Sequence, residues 1–280
     1  MKPGEKLRIA FQGEAGAYSE AALLAFSAIR KLEKPQSVPC ASFDEVFQSV
    51  EKGNSELGFI AIENSLAGSI HRNYDLLLQH KLSVVGEYYL RVSHCLLGCP
   101  GVKLEEIERV ISHPQALAQC DGYLRSLGVI IEAAYDTAGS AKIVSERGDC
   151  KTAAIASRRA AEIYGLEILA DSIEDNPENF TRFLAISPEP DEPGEDAKTS
   201  IVFSLKNVPG SLFRGLSVFA LRDIDLTKIE SRPLQGKRWQ YLFYIDFIGS
   251  QDEERCRNAL NHLQEITSFF KVLGSYPRGV

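Results

Sequence analysis

Leu57-Gly58-Phe59-Ile60-Ala61-Ile62 is an apolar run of strand length, and the polar residues Glu63-Asn64-Ser65 follow it directly. A helical pattern over about 70–79 comes next. The same order of strand, loop and helix begins at Leu7–Phe11, where Gly13 and Gly16 precede a helix that we predict from about residue 19. Repetition of this unit predicts an α/β fold with mainly parallel strands.

Further runs extend this pattern towards the middle of the chain. We predict strands at 93–97, 109–112, 152–156 and 183–186, and helices at 114–127 and 158–164. Because ligands of such sheets bind beyond the carboxyl ends of the strands, a site is expected among the loops that follow them. These loops are 12–19, 63–69, 112–115, 157–159 and 174–182.

A polar segment divides the chain. Pro188-Glu189-Pro190-Asp191-Glu192-Pro193-Gly194-Glu195-Asp196 contains three prolines, one glycine and five acidic residues, so it can neither continue a helix nor bury a face. We therefore predict one domain at 1–187, a linker at 188–197 and a second domain at 198–280. In the second domain the patterns run strand, helix, strand, strand, helix, strand, which predicts a ferredoxin-like α+β (βαββαβ) arrangement.

Composition excludes several classes of function. The 280 residues carry a net charge of −7, which argues against nucleic acid as the main partner. No run of about 20 apolar residues predicts a membrane-spanning helix. Acidic residues within the first 20 positions do not fit an export signal, so we expect a cytoplasmic protein with no membrane partner.

The six cysteines are scattered, which favours reduced thiols over a disulfide framework. His94, Cys95 and Cys99 form the only sequence cluster that resembles metal ligands. Since no second pair accompanies them elsewhere in the sequence, we predict no metal site.

Polar residues follow several of the predicted strands. Gly16, Ala17 and Tyr18 open a helix whose backbone N–H groups can hold an anion, although a tight turn that needs glycine accounts for the same residues. Their pattern is not GxGxxG, which argues against dinucleotide binding. Three polar residues end the strand at 57–62, where helix capping is the alternative explanation. These residues are Glu63, Asn64 and Ser65.

Two further stretches of the sequence contain side chains that can donate hydrogen bonds to a ligand. Ser112 precedes a helix on which Gln115 and Gln119 share one face, and capping by Ser112 is again the alternative. Thr181 and Arg182 precede the strand at 183–186. The Arg182 guanidinium offers a planar fork for a carboxylate and Thr181 offers a hydroxyl, but a β-branched residue beside a strand also needs no function.

Taken together, these motifs resemble the prephenate dehydratase family, including the arogenate dehydratases of plants, over essentially the whole chain. The Thr181-Arg182-Phe183 stretch carries the family's Thr-Arg-Phe signature. In the second domain, Pro209–Leu212 and Glu230–Pro233 look like the two phenylalanine-binding motifs of the family's ACT domain. One departure is Ser211, where the family usually has alanine. The other matching stretches are Ala10–Gly13, Gly16–Glu20, Ile62–Ser65, Gly68–Ile70, Ser112–Leu117 with Gln119, and Asn179–Phe180.

The resemblance implies a two-lobed catalytic domain like the type II periplasmic binding proteins, with a cleft, followed by an ACT domain. It implies a carbon–oxygen lyase that converts prephenate to phenylpyruvate, water and carbon dioxide without a cofactor. Arogenate dehydration is the alternative, and an amino-acid sensor without chemistry is a further one.

The resemblance also implies roles for the candidate residues. Thr181 acts on the leaving hydroxyl, Asn64, Ser112 and Gln119 position the substrate, and Glu63 orients them or supplies the acid. Arg182 is a partner for a substrate carboxylate. Other substrate-binding residues are Gly16, Ala17, Tyr18, Ser65 and Gln115.

The resemblance of the second domain to the family's ACT domain implies feedback regulation by L-phenylalanine. Its site would lie where two ACT domains pair in a homodimer or homotetramer, with one motif from each subunit. The residues of the two motifs are Asn207, Val208, Pro209, Gly210, Ser211 and Leu212, and Glu230, Ser231, Arg232 and Pro233.

Overall fold

A computed structural model describes residues 6–234, 236 and 239–279. The chain forms two compact units. The first covers the chain up to Leu78 together with Tyr88–Phe183, and the second covers Gln79–Glu87 together with the chain from Leu184. None of the described helices is long and apolar enough to cross a membrane.

The elements follow one another along the chain, with a short 3-10 turn at Leu104–Glu106. They are β1 (Leu7–Gln12), α1 (Tyr18–Ile29), β2 (Pro35–Cys40), α2 (Phe43–Glu51), β3 (Leu57–Asn64), β4 (Gly68–Ser69), α3 (His71–Gln79), β5 (Ser83–Arg91), β6 (Cys95–Gly98), β7 (Arg109–Ser112), α4 (Pro114–Gln119), α5 (Asp121–Leu127), β8 (Ile130–Ala133), α6 (Thr137–Arg147), β9 (Thr152–Ala156), α7 (Arg158–Tyr164), β10 (Glu167–Ala170), β11 (Phe180–Ser187), β12 (Ala197–Ser204), α8 (Ser211–Ala220), β13 (Leu226–Pro233), β14 (Tyr241–Ile248), α9 (Glu254–Ile266) and β15 (Phe269–Pro277).

The first sheet has the strand order β2-β1-β3-β11-β5, with β4 paired to β3. As predicted, β1 runs parallel to its neighbours β2 and β3. The apolar run that begins at Leu57 is buried on both faces, and the Phe59 ring stacks on Phe183 at a centroid distance of 5.3 Å. Burial on both faces explains why this strand is continuously apolar instead of alternating.

The second sheet has the order β10-β6-β9-β7-β8. Here β7 runs parallel to β8 and β9, but β6 is antiparallel to both β9 and β10, so the sheet is mixed. The single helix predicted at 114–127 is wrong. Cys120 leaves the helical region with φ −119° and ψ 21°, and the helix divides there into α4 and α5.

The third sheet has the order β13-β14-β12-β15, and the predicted element order βαββαβ is the one observed. Helices α8 and α9 pack on one face over a core that includes Phe203, Phe219 and Leu263. The other face is also buried, since Asp246 is 7% exposed and accepts a 2.5 Å hydrogen bond from Ser200 Oγ.

Residues 188–196 carry no helix or strand and are exposed except for the half-buried Pro193. The boundaries of the functional domains at 187 and 198 stay a prediction.

Candidate active site

Asn64 and Thr181 lie together at the ends of the neighbouring strands β3 and β11. Asn64 Nδ2 donates to Thr181 Oγ1 at 3.0 Å, to Asn179 Oδ1 at 2.8 Å and to the Phe180 carbonyl at 3.1 Å. Adjacent strands bring these residues together although 117 positions separate Asn64 from Thr181. The sequence predicted both residues as part of one site.

Backbone groups fix the orientation of the Asn64 side chain. Its Oδ1 accepts hydrogen bonds from the N–H groups of Leu66 at 3.1 Å and Ala67 at 2.9 Å. Because backbone N–H groups can only donate, the other end of the amide must be the NH2 group, which donates to Thr181. Thr181 Oγ1 is therefore an acceptor in this contact, and its own proton stays available to another acceptor.

Gln119 joins the same group of side chains through Asn179. Its Oε1 accepts from Asn179 Nδ2 at 3.1 Å and lies 2.8 Å from His94 Nε2. Asn179 is fully buried and His94 is 2% exposed. The sequence predicted Gln119 but gave no role to Asn179, although it is part of the Asn-Phe-Thr-Arg stretch, and considered His94 only as a metal ligand.

The Tyr18 hydroxyl points into the protein. It lies 2.8 Å from His94 Nδ1 and 2.9 Å from the Ser93 carbonyl. Burial raises the pKa of Tyr18 well above its ordinary value, so the phenol keeps its proton. The predicted contact of Tyr18 with substrate therefore finds no support in the direction of its hydroxyl.

Ser65 and Ser112 use their hydroxyls within the fold. Ser65 Oγ donates to the Glu178 carbonyl at 2.8 Å and accepts from the Phe180 N–H at 2.9 Å, which ties β3 to the start of β11. Ser112 is fully buried, and its Oγ donates to the Ile155 carbonyl at 2.7 Å. Neither contact leads to Thr181. Ser112 does not cap α4 either, since His113 is the capping residue.

The turn at Gly16 and Ala17 is a tight packing point. The Gly16 N–H donates to Glu20 Oε2 at 2.8 Å and the Ala17 N–H donates to the Glu14 carbonyl at 3.1 Å, so these donors are not aimed at an external anion. A Cβ on Gly16 would lie 2.9 Å from Ala160 Cα. The requirement for glycine at a close approach thus explains this motif.

Arg182 lies on the other side of β11 from Thr181, because successive side chains of a strand alternate. It is 6% exposed, and its guanidinium carbon lies 6.0 Å from the centroid of the Tyr89 ring. Gln115 is exposed, and its backbone N–H donates to His113 Nδ1 at 3.2 Å. Glu63 pairs with Ser69 where β3 meets β4. Within the described part of the chain, the side-chain hydrogen bonds that join Thr181, Asn64 and Asn179 do not include Arg182, Gln115 or Glu63.

In the second unit, one predicted motif lines a cavity of about 280 Å³. Five residues of 207–212 line it, and Pro209 does not. The Glu230–Pro233 motif at the end of β13 is not part of its lining. The lining residues are Leu205, Lys206, Asn207, Val208, Gly210, Ser211, Leu212, Phe213, Tyr241 and Phe243.

Residues 9–191 match the family model described as prephenate dehydratase. The chain belongs to the prephenate dehydratase family. It is 51% identical to a protein of Arabidopsis thaliana named arogenate dehydratase/prephenate dehydratase 2, chloroplastic, over 98% of this chain and 74% of that protein. The mixed α/β fold is also that of solved members of the family.

Two solved structures are similar over nearly the whole chain. A prephenate dehydratase of Arthrobacter aurescens in complex with L-Phe is 31% identical, with a TM-score of 0.87 over 97% of this chain and 90% of that chain. A structure described as a novel type of quorum quenching acylase is 36% identical, with a TM-score of 0.88 over 97% of this chain and 98% of that chain.

The prediction of a cytoplasmic protein is wrong by this comparison. The Arabidopsis relative is named chloroplastic, as are two others at 51% and 50% identity. The prediction rested on the lack of an export-signal pattern, which tests for secretion and does not report the compartment of a folded enzyme.

Proposed function

We propose that the protein is a prephenate dehydratase that removes water and carbon dioxide from prephenate to form phenylpyruvate. The observation that carries this proposal is the contact between Asn64 Nδ2 and Thr181 Oγ1. It leaves the Thr181 hydroxyl as a donor beside the carboxyl end of β3, which is where ligands of such sheets bind.

The chemistry requires donors of this kind. The ring hydroxyl of prephenate leaves poorly as hydroxide, so a hydrogen bond or proton must reach its oxygen as the carbon–oxygen bond breaks. The ring carboxylate then leaves as carbon dioxide, and the electron pair of the broken carbon–carbon bond completes the aromatic ring. Threonine does not ionise near neutral pH, so we assign Thr181 to hydrogen bonding and orientation instead of full proton transfer.

Prephenate carries two carboxylates, and burying either one unpaired costs several kcal/mol. The NH2 group of Gln119 is a suitable partner, because its Oε1 is already occupied by Asn179 and His94. Because the Gln119 amide and the Thr181 hydroxyl are neutral, they can bind a substrate carboxylate without placing an ionisable side chain beside the leaving hydroxyl.

Arogenate is the second candidate substrate, because the Arabidopsis relative is named for both arogenate and prephenate. The two acids differ in a keto or ammonium group on the side chain. Parallel kinetics on purified protein, with phenylpyruvate and L-phenylalanine measured as products, decides between them. If neither product forms from either acid, the proposed function is refuted.

The site geometry argues against an acylase reaction. Acyl transfer needs a nucleophile beside a general base. Ser112 Oγ is buried and donates to a backbone carbonyl, and the Thr181 hydroxyl contacts the Asn64 amide, which is not a base. We therefore propose a dehydratase reaction, which belongs to the carbon–oxygen lyases. We assign no cofactor to it.

We further propose that residues 1–187 form a two-lobed catalytic domain and residues 198–280 an ACT domain that binds L-phenylalanine. The cavity lined by residues 205–208 and 210–213, with Tyr241 and Phe243, has a volume of the order that an amino acid needs. Glu230–Pro233 lies outside that lining, which fits a site completed by a second subunit of a homodimer or homotetramer. Titration with L-phenylalanine should lower activity or change oligomer size, and no change in either overturns this assignment.

A further inference from the structure

We propose that His94, held by Tyr18, is a positioning residue that orients the Gln119 carboxamide so that its NH2 group donates to an anionic substrate. This inference rests on the proposed function and deepens it, because it names a donor for the substrate and the residues that aim it. Neither His94 nor Tyr18 is expected to touch the substrate.

The direction of the hydrogen bonds can be followed from the backbone. Leu66 and Ala67 donate to Asn64 Oδ1, so Asn64 Nδ2 donates to Asn179 Oδ1 at 2.8 Å. Asn179 then presents its NH2 group to Gln119 Oε1 at 3.1 Å. Each amide orientation is therefore determined by the one before it, and the series makes Gln119 Oε1 an acceptor.

An acceptor at Gln119 Oε1 determines the proton position on His94. The His94 Nε2 atom lies 2.8 Å from this oxygen and can stabilise it only as an N–H donor. Gln119 Oε1 thus receives hydrogen bonds from two sides. No acceptor for the Gln119 NH2 group lies within hydrogen-bonding distance among residues 6–234, 236 and 239–279. Gln119 is half-buried, so its two protons are available to solvent or to a ligand.

Tyr18 holds the other ring nitrogen of His94. Its hydroxyl lies 2.8 Å from Nδ1, and the two rings meet edge to face at a centroid distance of 5.4 Å. Burial lowers the pKa of His94 and raises that of Tyr18, so the imidazole is neutral and the phenol protonated. In this state Nε2 carries the only imidazole proton, and Nδ1 shares the single Tyr18 proton with the Ser93 carbonyl, which lies 2.9 Å from the same hydroxyl.

Replacing His94 would have one set of consequences if its role were purely structural and another if it positions Gln119. Loss of a buried structural contact lowers stability but leaves the activity of the folded fraction unchanged. Loss of the donor to Gln119 lets the carboxamide rotate, and misplacement of a substrate-positioning group by about 1 Å can reduce activity by about 10²-fold. Kinetics of folded variants separate the two roles.

The first experiment compares His94→Leu, His94→Gln and a control, His262→Gln, which changes an exposed histidine on α9. We expect kcat/KM of His94→Leu to fall about 10²-fold, mainly through KM, because an anion donor is misplaced. His94→Gln returns an N–H donor and should recover activity to within about tenfold of wild type. A folded His94→Leu with normal kcat/KM, or a His94→Gln variant no better than His94→Leu, refutes the inference.

The second experiment reads the proton position directly and does not depend on folding of the leucine variant. Nitrogen-15 NMR of the substrate-free wild-type protein should show His94 as the neutral tautomer with the proton on Nε2. A proton on Nδ1 alone overturns the inference. Wild-type protein that is inactive on both acids would refute the proposed function, and the tautomer would still test the hydrogen-bond arrangement by itself.

Discussion

Replacement of Thr181 by valine tests the central contact of the site. Valine keeps the shape of threonine and removes the hydroxyl. The partner Asn64 Nδ2 still has Asn179 Oδ1 at 2.8 Å and the Phe180 carbonyl at 3.1 Å as acceptors, so no buried donor is stranded. We therefore expect the free energy of unfolding to fall by no more than about 0.5–1.5 kcal/mol, the usual net contribution of one hydrogen bond.

Turnover should respond much more strongly to the same change. Removal of one donor that acts on charge developing in the transition state costs about 10²–10³ in kcat, or about 2.7–4 kcal/mol in activation free energy. The assay is the rate of phenylpyruvate formation from prephenate, with thermal unfolding measured in parallel. Thr181→Ser keeps a hydroxyl and should stay within about tenfold of wild type. A Thr181→Val variant with a near-normal rate refutes the role that we assign to this hydroxyl.

Three further predictions concern stability. Glu87→Gln should destabilise the protein by about 3–5 kcal/mol in urea unfolding, because it removes the carboxylate that lies 2.5 Å from the Lys198 ammonium, where both side chains are almost fully buried. Gly16→Ala should cost about 1–3 kcal/mol, since φ is +88° there and a Cβ would meet Ala160 Cα at 2.9 Å. Burial lowers the pKa of His94 below its ordinary value of 6.5. The unfolded chain therefore binds this proton more readily, so the stability contributed by His94 is complete above about pH 6.5 and is lost as pH falls below it.

Matched variants control these measurements. Glu132→Gln breaks the exposed pair with Arg109 and should change stability by less than about 1 kcal/mol. Gly128→Ala has a similar positive φ of +67° with open space around it, so a smaller cost than at Gly16 is expected. His94→Gln should flatten the pH dependence of unfolding between about pH 5 and 7. Equal effects of target and control, or an unchanged pH dependence, would contradict the corresponding argument.

Apart from the two-residue β4, the strands that the sequence analysis did not predict share one property. β2, β5, β8 and β10 are the edge strands of the first two sheets, whereas the predicted strands include every interior one. Interior strands are buried on both faces and therefore appear as apolar runs. β2 contains Pro35 and Pro39, which interrupt an apolar run, and β8 is only four residues long with Glu132 among them, so neither stands out as an apolar strand.

The sequence by itself determined the repeated α/β units, the βαββαβ order of the second part, and the motifs that place the chain in its family. Those motifs also contained Asn64, Gln119 and Thr181, which the structure brings into one group. Local patterns carry this information because strand burial, turns and helix starts depend on neighbouring residues.

Only the tertiary structure decided which polar side chains meet and which way each one points. It turns the Tyr18 hydroxyl inward, places Arg182 on the opposite side of β11 from Thr181, and brings in His94. The hydrogen bonds concerned join residues that are 25 to 117 positions apart. Their partners are set by which strands lie side by side and by the alternation of side chains along a strand, and neither is encoded in a local run of sequence.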